Sequence, residues 1–146
     1  MYDKGHTLYP KDVFAQSQVN QWYMLQVNGR GPTIGQAFWF GYWHHEILPR
    51  AYKRYVNETK RITGVLDEWL KIRKWLVNEK MTIADVSVLA WYEEAHLVDF
   101  DIEEEFPRCF EWLERMKAIP EIVAGSVGRE MITPAKLWER EDPKKE

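Results

Sequence analysis

An all-α bundle of about six helices is the fold class this sequence predicts, and three observations carry it. Met81-Thr82-Ile83-Ala84-Asp85-Val86 writes a helix start in front of an apolar segment. Elsewhere apolar residues recur at three- and four-residue spacing over long stretches. No stretch alternates with period two for long enough to make a strand.

Taken in chain order, residues 1–10 hold Gly5 and Pro10 without periodicity and predict a leading strap or linker. From Lys11 to about Asn28, the positions Val13, Phe14, Val19, Trp22, Tyr23 and Leu25 follow a helical period, with polar Gln16, Gln18, Asn20 and Gln21 between them. Asn28-Gly29-Arg30-Gly31-Pro32 predicts a break, because Gly is a poor helix former and Pro lacks a donor. A second, aromatic helix is expected from Pro32 to Trp43, its Gly35 and Gly41 pointing to close packing. Pro49 suits a first turn. It opens the longest pattern, in which Tyr52, Tyr55, Ile62, Val65, Leu66, Trp69 and Leu70 mark an amphipathic helix to about Arg73.

Thr82 then acts as N-cap, its hydroxyl accepting from the amide three residues on, while the Asp85 carboxylate reaches back to the Thr82 amide. Met81 and Val86 take the positions of a hydrophobic staple. The helix this starts, Thr82 to about His96, is apolar almost all round and so is expected to be buried on most sides. Phe106-Pro107 opens another helix with Phe110, Trp112, Leu113 and Met116, and Pro120 a short last one to about Val127. Glu103-Glu104-Glu105 places negative charge before the Phe106-Pro107 helix, where the helix dipole favours it. The predicted organisation is a strap over 1–10, one helical domain over 11–130, and a charged, disordered tail over 131–146 that ends in the run Glu139 to Glu146.

A chain of 146 residues is long enough for one domain with a sizeable core. Its net charge of −3 leaves no basic footprint for nucleic acid. The lone Cys109 excludes an internal disulfide and suits a reducing, cytoplasmic compartment. No run approaches a membrane-spanning length, and the N-terminus lacks the order of a signal peptide. The chain is rich in aromatics, with 8 Trp, 7 Tyr and 6 Phe. Trp22, Tyr23, Phe38, Trp39, Phe40, Tyr42 and Trp43 fall in one region and suit a large-residue core, an apolar pocket or interface, or both.

In this order and spacing the motifs resemble the all-helical C-terminal domain of cytosolic glutathione transferases, over about 120 residues. Met81 to Asp85 matches the family's capping box, Trp75-Leu76-Val77 its lead-in, and Phe106-Pro107 through Trp112 to Ile119-Pro120 its later signature. Gln21-Trp22, Gly29 to Pro32, Gly35 to Phe40, and Arg54-Tyr55 with Glu58 are similar to the subgroup typified by the yeast prion-type nitrogen regulator. The family's N-terminal thioredoxin-like domain, which supplies most glutathione-binding groups and activates the thiol, has no counterpart in this sequence. A cut fragment, a naturally truncated paralogue and half of a complex all fit that departure.

The resemblance implies attack of the glutathione thiolate, as co-substrate, on an apolar electrophile. By position Arg54 matches an arginine that faces glutathione, where it would grip a carboxylate or favour a thiolate. The alternative is an exposed or salt-bridged arginine, with Glu58 one turn on. Trp22, Gln36, Phe40 and Trp43 are the implied walls of the electrophile pocket, with Trp91 behind them. His44, His45 and Glu46 lack further ligands at helical spacing, so no metal is expected. Cys109 reads either as a thiol activated near a helix N-terminus or as a small core residue.

Three functions follow: the substrate-pocket half of a dimeric transferase, a non-catalytic assembly module that binds a thioredoxin-like domain or a second copy, or a glutathione-independent enzyme acting on an apolar metabolite in the helical cavity. The last would need an acid and base such as Glu58 with Tyr23 or His44.

Overall fold

A computed structural model describes residues 3–92, 95, 98–99 and 101–126. Helices account for the architecture, and no strand occurs among the described residues. They are α1 (Val13–Leu25), α2 (Gly31–Phe38), α3 (Pro49–Leu70), α4 (Ile83–Tyr92), α5 (Ile102–Glu105), α6 (Pro107–Lys117) and α7 (Pro120–Ser126).

The predicted break at 28–32 does not occur. Backbone from Val13 to Trp43 stays helical, with π-helical turns at Gln26–Arg30 and Trp39–Trp43. The Gly31 amide donates to the Gln26 carbonyl five residues back. Pro32 follows directly: a proline has no amide to donate and crowds the carbonyl four residues before it. Widening the preceding turn lets the chain pass it without leaving the helical region. A second correction concerns α1. Val13 and Phe14 are 77% and 72% exposed and Tyr23 is also exposed, whereas Ala15 and Val19 are buried.

The inward stripe of α3 is Tyr52, Val56, Thr59, Ile62, Thr63, Leu66 and Leu70, and it packs on α2. Gly41 makes this approach possible, since a Cβ there would lie 3.0 Å from the Tyr52 ring. Trp91 is seated the same way over Gly31 and Gly35, with 3.2 Å and 3.9 Å to the positions their Cβ atoms would take. The sequence analysis missed α5. Its three glutamates form a turn of their own, capped by the Asp101 carboxylate on the Glu103 and Glu104 amides. Lys60 of α3 ties it down through Glu105 at 2.7 Å. α6 borrows its cap, because Asp67 of α3 accepts from the Arg108 and Cys109 amides at 2.8 and 3.0 Å. The expected extension of α4 to His96, apart from Ala95, and the predicted tail over 131–146 lie outside the described residues.

Asp85 joins three segments. One oxygen accepts from the Thr82 amide (2.8 Å) and hydroxyl (3.0 Å), the other from the Leu76 amide (3.0 Å) and the Trp112 indole (3.0 Å). The Thr82 hydroxyl accepts from Ala84, one residue earlier than the expected capping bond. Burial pushes the Asp85 carboxyl above its ordinary pKa, against the pull of these four donors. The strap uses a carboxylate too: Asp3 gathers the amides of Thr7, Leu8 and Tyr9. The Leu8 carbonyl then accepts from Ile83, the first residue of α4.

Cys109 is fully buried, its Sγ 3.6 Å from the Thr63 carbonyl oxygen, and burial pushes its thiol up to about 12. It is a core residue and not an activated thiol.

Three outcomes are expected. Asp85→Asn leaves buried donors facing an amide nitrogen and should cost about 3 kcal/mol in chemical denaturation, against about 1 kcal/mol for Thr82→Ala. The Tyr9 amide, with Thr7 and Leu8, holds Asp3 down at about 2 from an ordinary 3.8. The strap's anchoring is therefore complete above pH 4 and is lost as pH falls toward 2. Exchange of the Leu8 and Tyr9 amides followed by NMR should accelerate over that window, and Asp3→Asn should abolish the dependence. The Cys109 thiol should resist a disulfide reagent in the native protein and react fully in denaturant.

Candidate functional site

The outward face of α2 and the turn that follows it is an aromatic ledge. Gln36, Trp39, Phe40 and Trp43 recur at three- and four-residue spacing and so share one side of the helix. Gln36 is exposed, Trp39 and Trp43 are 48% and 47% exposed, and Phe40 is half-buried. The helix cannot turn these rings inward because Phe38, Gly41 and Tyr42 already occupy the core side.

Phe40 is the fixed member. Its ring stacks on Tyr55 of α3, with centroids 5.6 Å apart and planes within 9°, and lies 5.0 Å from the His44 imidazole. Trp39 meets the same imidazole edge-on at 6.3 Å, and His45 stacks behind it at 4.4 Å. His44 is oriented by its own backbone: Nδ1 lies 2.9 Å from the Glu46 carbonyl oxygen and 3.1 Å from the Glu46 amide. Trp39, His44 and Tyr55 belong to this cluster although the sequence analysis did not single them out for it. Trp39 was legible, since it stands three residues after Gln36.

Arg54, next to Tyr55, is exposed and makes no hydrogen bond or ion pair among the described residues. Its expected partner is engaged elsewhere. Glu58 receives a two-pronged grip from Arg61 at 2.8 and 2.9 Å, which together with a weaker field from Arg54 lowers its pKa. Arg54 precedes the Tyr55 that stacks on Phe40. A guanidinium without a partner among the described residues suits a carboxylate or thiolate, and flat rings suit an apolar body.

Trp22 lies elsewhere. It packs against Trp69 near the far end of α3, with centroids 5.2 Å apart. Tyr55 and Trp69 are fourteen residues apart on one helix, which places the Trp22 contact about 21 Å along the axis from Phe40. There it borders an open groove of about 710 Å³ with Val65, Ile72 and Arg73. Gln36, Phe40 and Trp43 thus share one helix face, Arg54 stands one residue before the Tyr55 that stacks on Phe40, and Trp22 lies apart from them. Trp91 packs on the glycines of α2. Thr82 and Asp85 are buried structural groups. Among the described residues no cluster of His, Cys, Asp and Glu could hold a metal, and no helix is long and apolar enough to cross a membrane.

Comparison with known proteins gives the arrangement a family. Glutathione S-transferase 2 of Schizosaccharomyces pombe is 40% identical over 119 residues, covering 71% of this chain and 51% of its own length. The transcriptional regulator URE2 of Saccharomyces cerevisiae is 28% identical over 148 residues, covering 80% of this chain and 42% of its own length. Among solved structures, the glutathione transferase URE2P6 of Phanerochaete chrysosporium in complex with oxidized glutathione superposes with a TM-score of 0.79 at 38% identity, over 84% of this chain and 58% of the other. Ure2p in complex with S-hexylglutathione gives 0.79 at 32% identity, over 84% and 60%. The chain spans about half the length of the curated relatives it matches. Residues 31–120 match the family model described as glutathione S-transferase, C-terminal domain, and they contain α2 through the start of α7, including the ledge and the Asp85 junction. This chain belongs to the glutathione S-transferase family, of which it carries the helical C-terminal domain.

Proposed function

We propose that this chain is the helical, substrate-pocket half of a glutathione S-transferase. In the complete two-domain, dimeric and cytoplasmic protein, the glutathione thiolate would add to an apolar electrophile seated against this half. The observation that supports it most directly is Arg54, exposed and without a partner among the described residues, one residue before the Tyr55 that stacks on Phe40 of the ledge. Arg54 would hold a carboxylate of glutathione or favour its thiolate, and the stacked Phe40 and Tyr55 would offer a flat wall to the electrophile. In the reaction the thiolate sulfur forms a bond to an electrophilic carbon, whose leaving group or π electrons take the charge. Activation of the thiol falls to the thioredoxin-like half of the family, and the described residues here bind and position. Trp22, 21 Å along α3, has no part in this reading of the pocket.

A second reading, an assembly module, draws support from the relative that is a transcriptional regulator and from the exposed apolar face of α1 at Val13 and Phe14. A glutathione-independent enzyme is poorly supported. Its acid and base would include Glu58, held by Arg61, and His44, turned to its own backbone.

Calorimetric titration of glutathione and of S-hexylglutathione into the chain separates these readings. Saturable heat that Arg54→Ala removes for both ligands supports the transferase half. Phe40→Ala should then weaken S-hexylglutathione about tenfold and leave glutathione unchanged, as expected for a lost aromatic contact of about 1.4 kcal/mol. No heat at millimolar ligand would favour the assembly module.

A further inference from the structure

Arg30 is the least expected residue of the core. It stands in the π-helical turn between α1 and α2 and is 1% exposed. Its Nη1 donates to the Thr63 hydroxyl at 2.6 Å and to the Thr59 carbonyl at 3.4 Å. Its guanidinium carbon lies 3.6 Å from the centre of the Tyr92 ring. Among the described residues Nε and Nη2 have no hydrogen-bond partner, and neither has the buried Thr59 hydroxyl.

An arginine in a protein does not give up its proton, and a buried cation is costly unless something compensates it. Among the described residues, the groups that face it do not supply that compensation. The Tyr92 phenol, which donates to Thr63 at 3.1 Å, has its pKa raised by burial, and the Cys109 thiol is pushed up to about 12. Both are neutral at pH 7. The ring of Tyr92 offers its π face, which offsets part of the charge but satisfies no donor. Nε and Nη2 also share one edge of the guanidinium, the side on which two parallel N–H groups point the same way. That edge is the donor geometry arginine uses to grip anions.

We infer that the Nε and Nη2 edge of Arg30, with the Thr59 hydroxyl, is a buried site for a small monovalent anion of the halide class. Arg30, Thr59 and Thr63 are all buried, which favours a small ion over a larger one. A single-atom ion needs little more room than a water molecule, yet supplies the charge that water lacks.

Bromide is the probe. Thermal unfolding of the chain is followed while sodium bromide replaces sodium gluconate, an anion too large for the site, at fixed ionic strength. The midpoint should rise along a saturation curve, as for any ligand that binds the native state alone. Crystals grown in bromide should show an anomalous peak in contact with Nε and Nη2. Arg30→Met should flatten the curve. Thr59→Val, nearly isosteric and certain to test the site if Arg30→Met does not fold, should shift half-saturation to about tenfold higher bromide for the loss of one charged hydrogen bond. A midpoint indifferent to the exchange, or an anomalous map empty at that edge, overturns the inference and leaves water as the occupant.

Discussion

A carboxylate shut away from water, with no cation beside it among the described residues, holds the helices of this domain in register. Asp85 receives four hydrogen bonds from three places: the first turn of its own helix, the Leu76 amide in the segment after α3, and the indole of Trp112 on α6. Such a group is costly to bury and more costly to leave half-satisfied, so each donor constrains the others. The indole cannot reach it unless α6 lies across α4, and the amide cannot unless the chain returns from α3 with Leu76 and Val77 turned inward, as both are. The remainder of the packing, from the strap on Ile83 to the seating of Trp91 on α2, is arranged around an α4 that is already placed.

The local half of this junction was legible. Thr82 and Asp85 stand three residues apart, and a capping box is a relation between neighbours that spacing alone reveals. The Leu76 and Trp112 donors were not legible, because they lie 9 and 27 residues away and only the tertiary fold brings them in. The same division explains the other differences. Periodicity located α3 and α6 well because each has one buried stripe. It failed on α1, where apolar Val13 and Phe14 face outward, since a hydrophobic residue states a preference for cover without saying what provides it. It missed α5 because four residues complete barely one turn. The rule that Gly and Pro end helices assumes the pitch of an α-helix, and a π-helical turn evades it at Pro32.

The candidate site shows the same limit in another form. Gln36, Phe40, Trp43 and Trp22 were all grouped by family resemblance; the first three stand at three- and four-residue spacing and share one helix face in the structure. The distance of Trp22 from the other three is set by where α1 crosses α3, a quantity no periodicity contains. Arg30 was the least readable residue. Asn28-Gly29-Arg30-Gly31-Pro32 predicted a break and nothing in it singled Arg30 out, and the persistence of the helix through that segment accompanies a guanidinium that is buried.

The two buried charges divide the domain's chemistry. Asp85 spends all its acceptor capacity on structure, and the buried thiol and phenol nearest Arg30 are held neutral by the same low dielectric that makes Arg30 costly. None of these core groups is poised to take a proton from a thiol near neutral pH. What this half presents outward is different in kind: stacked rings whose geometry is fixed by α3, and the Arg54 guanidinium, which has no partner among the described residues while Glu58 is held by Arg61. Such a surface binds and orients, and it gains in strength where water is excluded from it. A reaction proposed to occur against it must therefore draw its proton chemistry from a second surface closing over the ledge, which is also what would cover the exposed rings of Trp39 and Trp43.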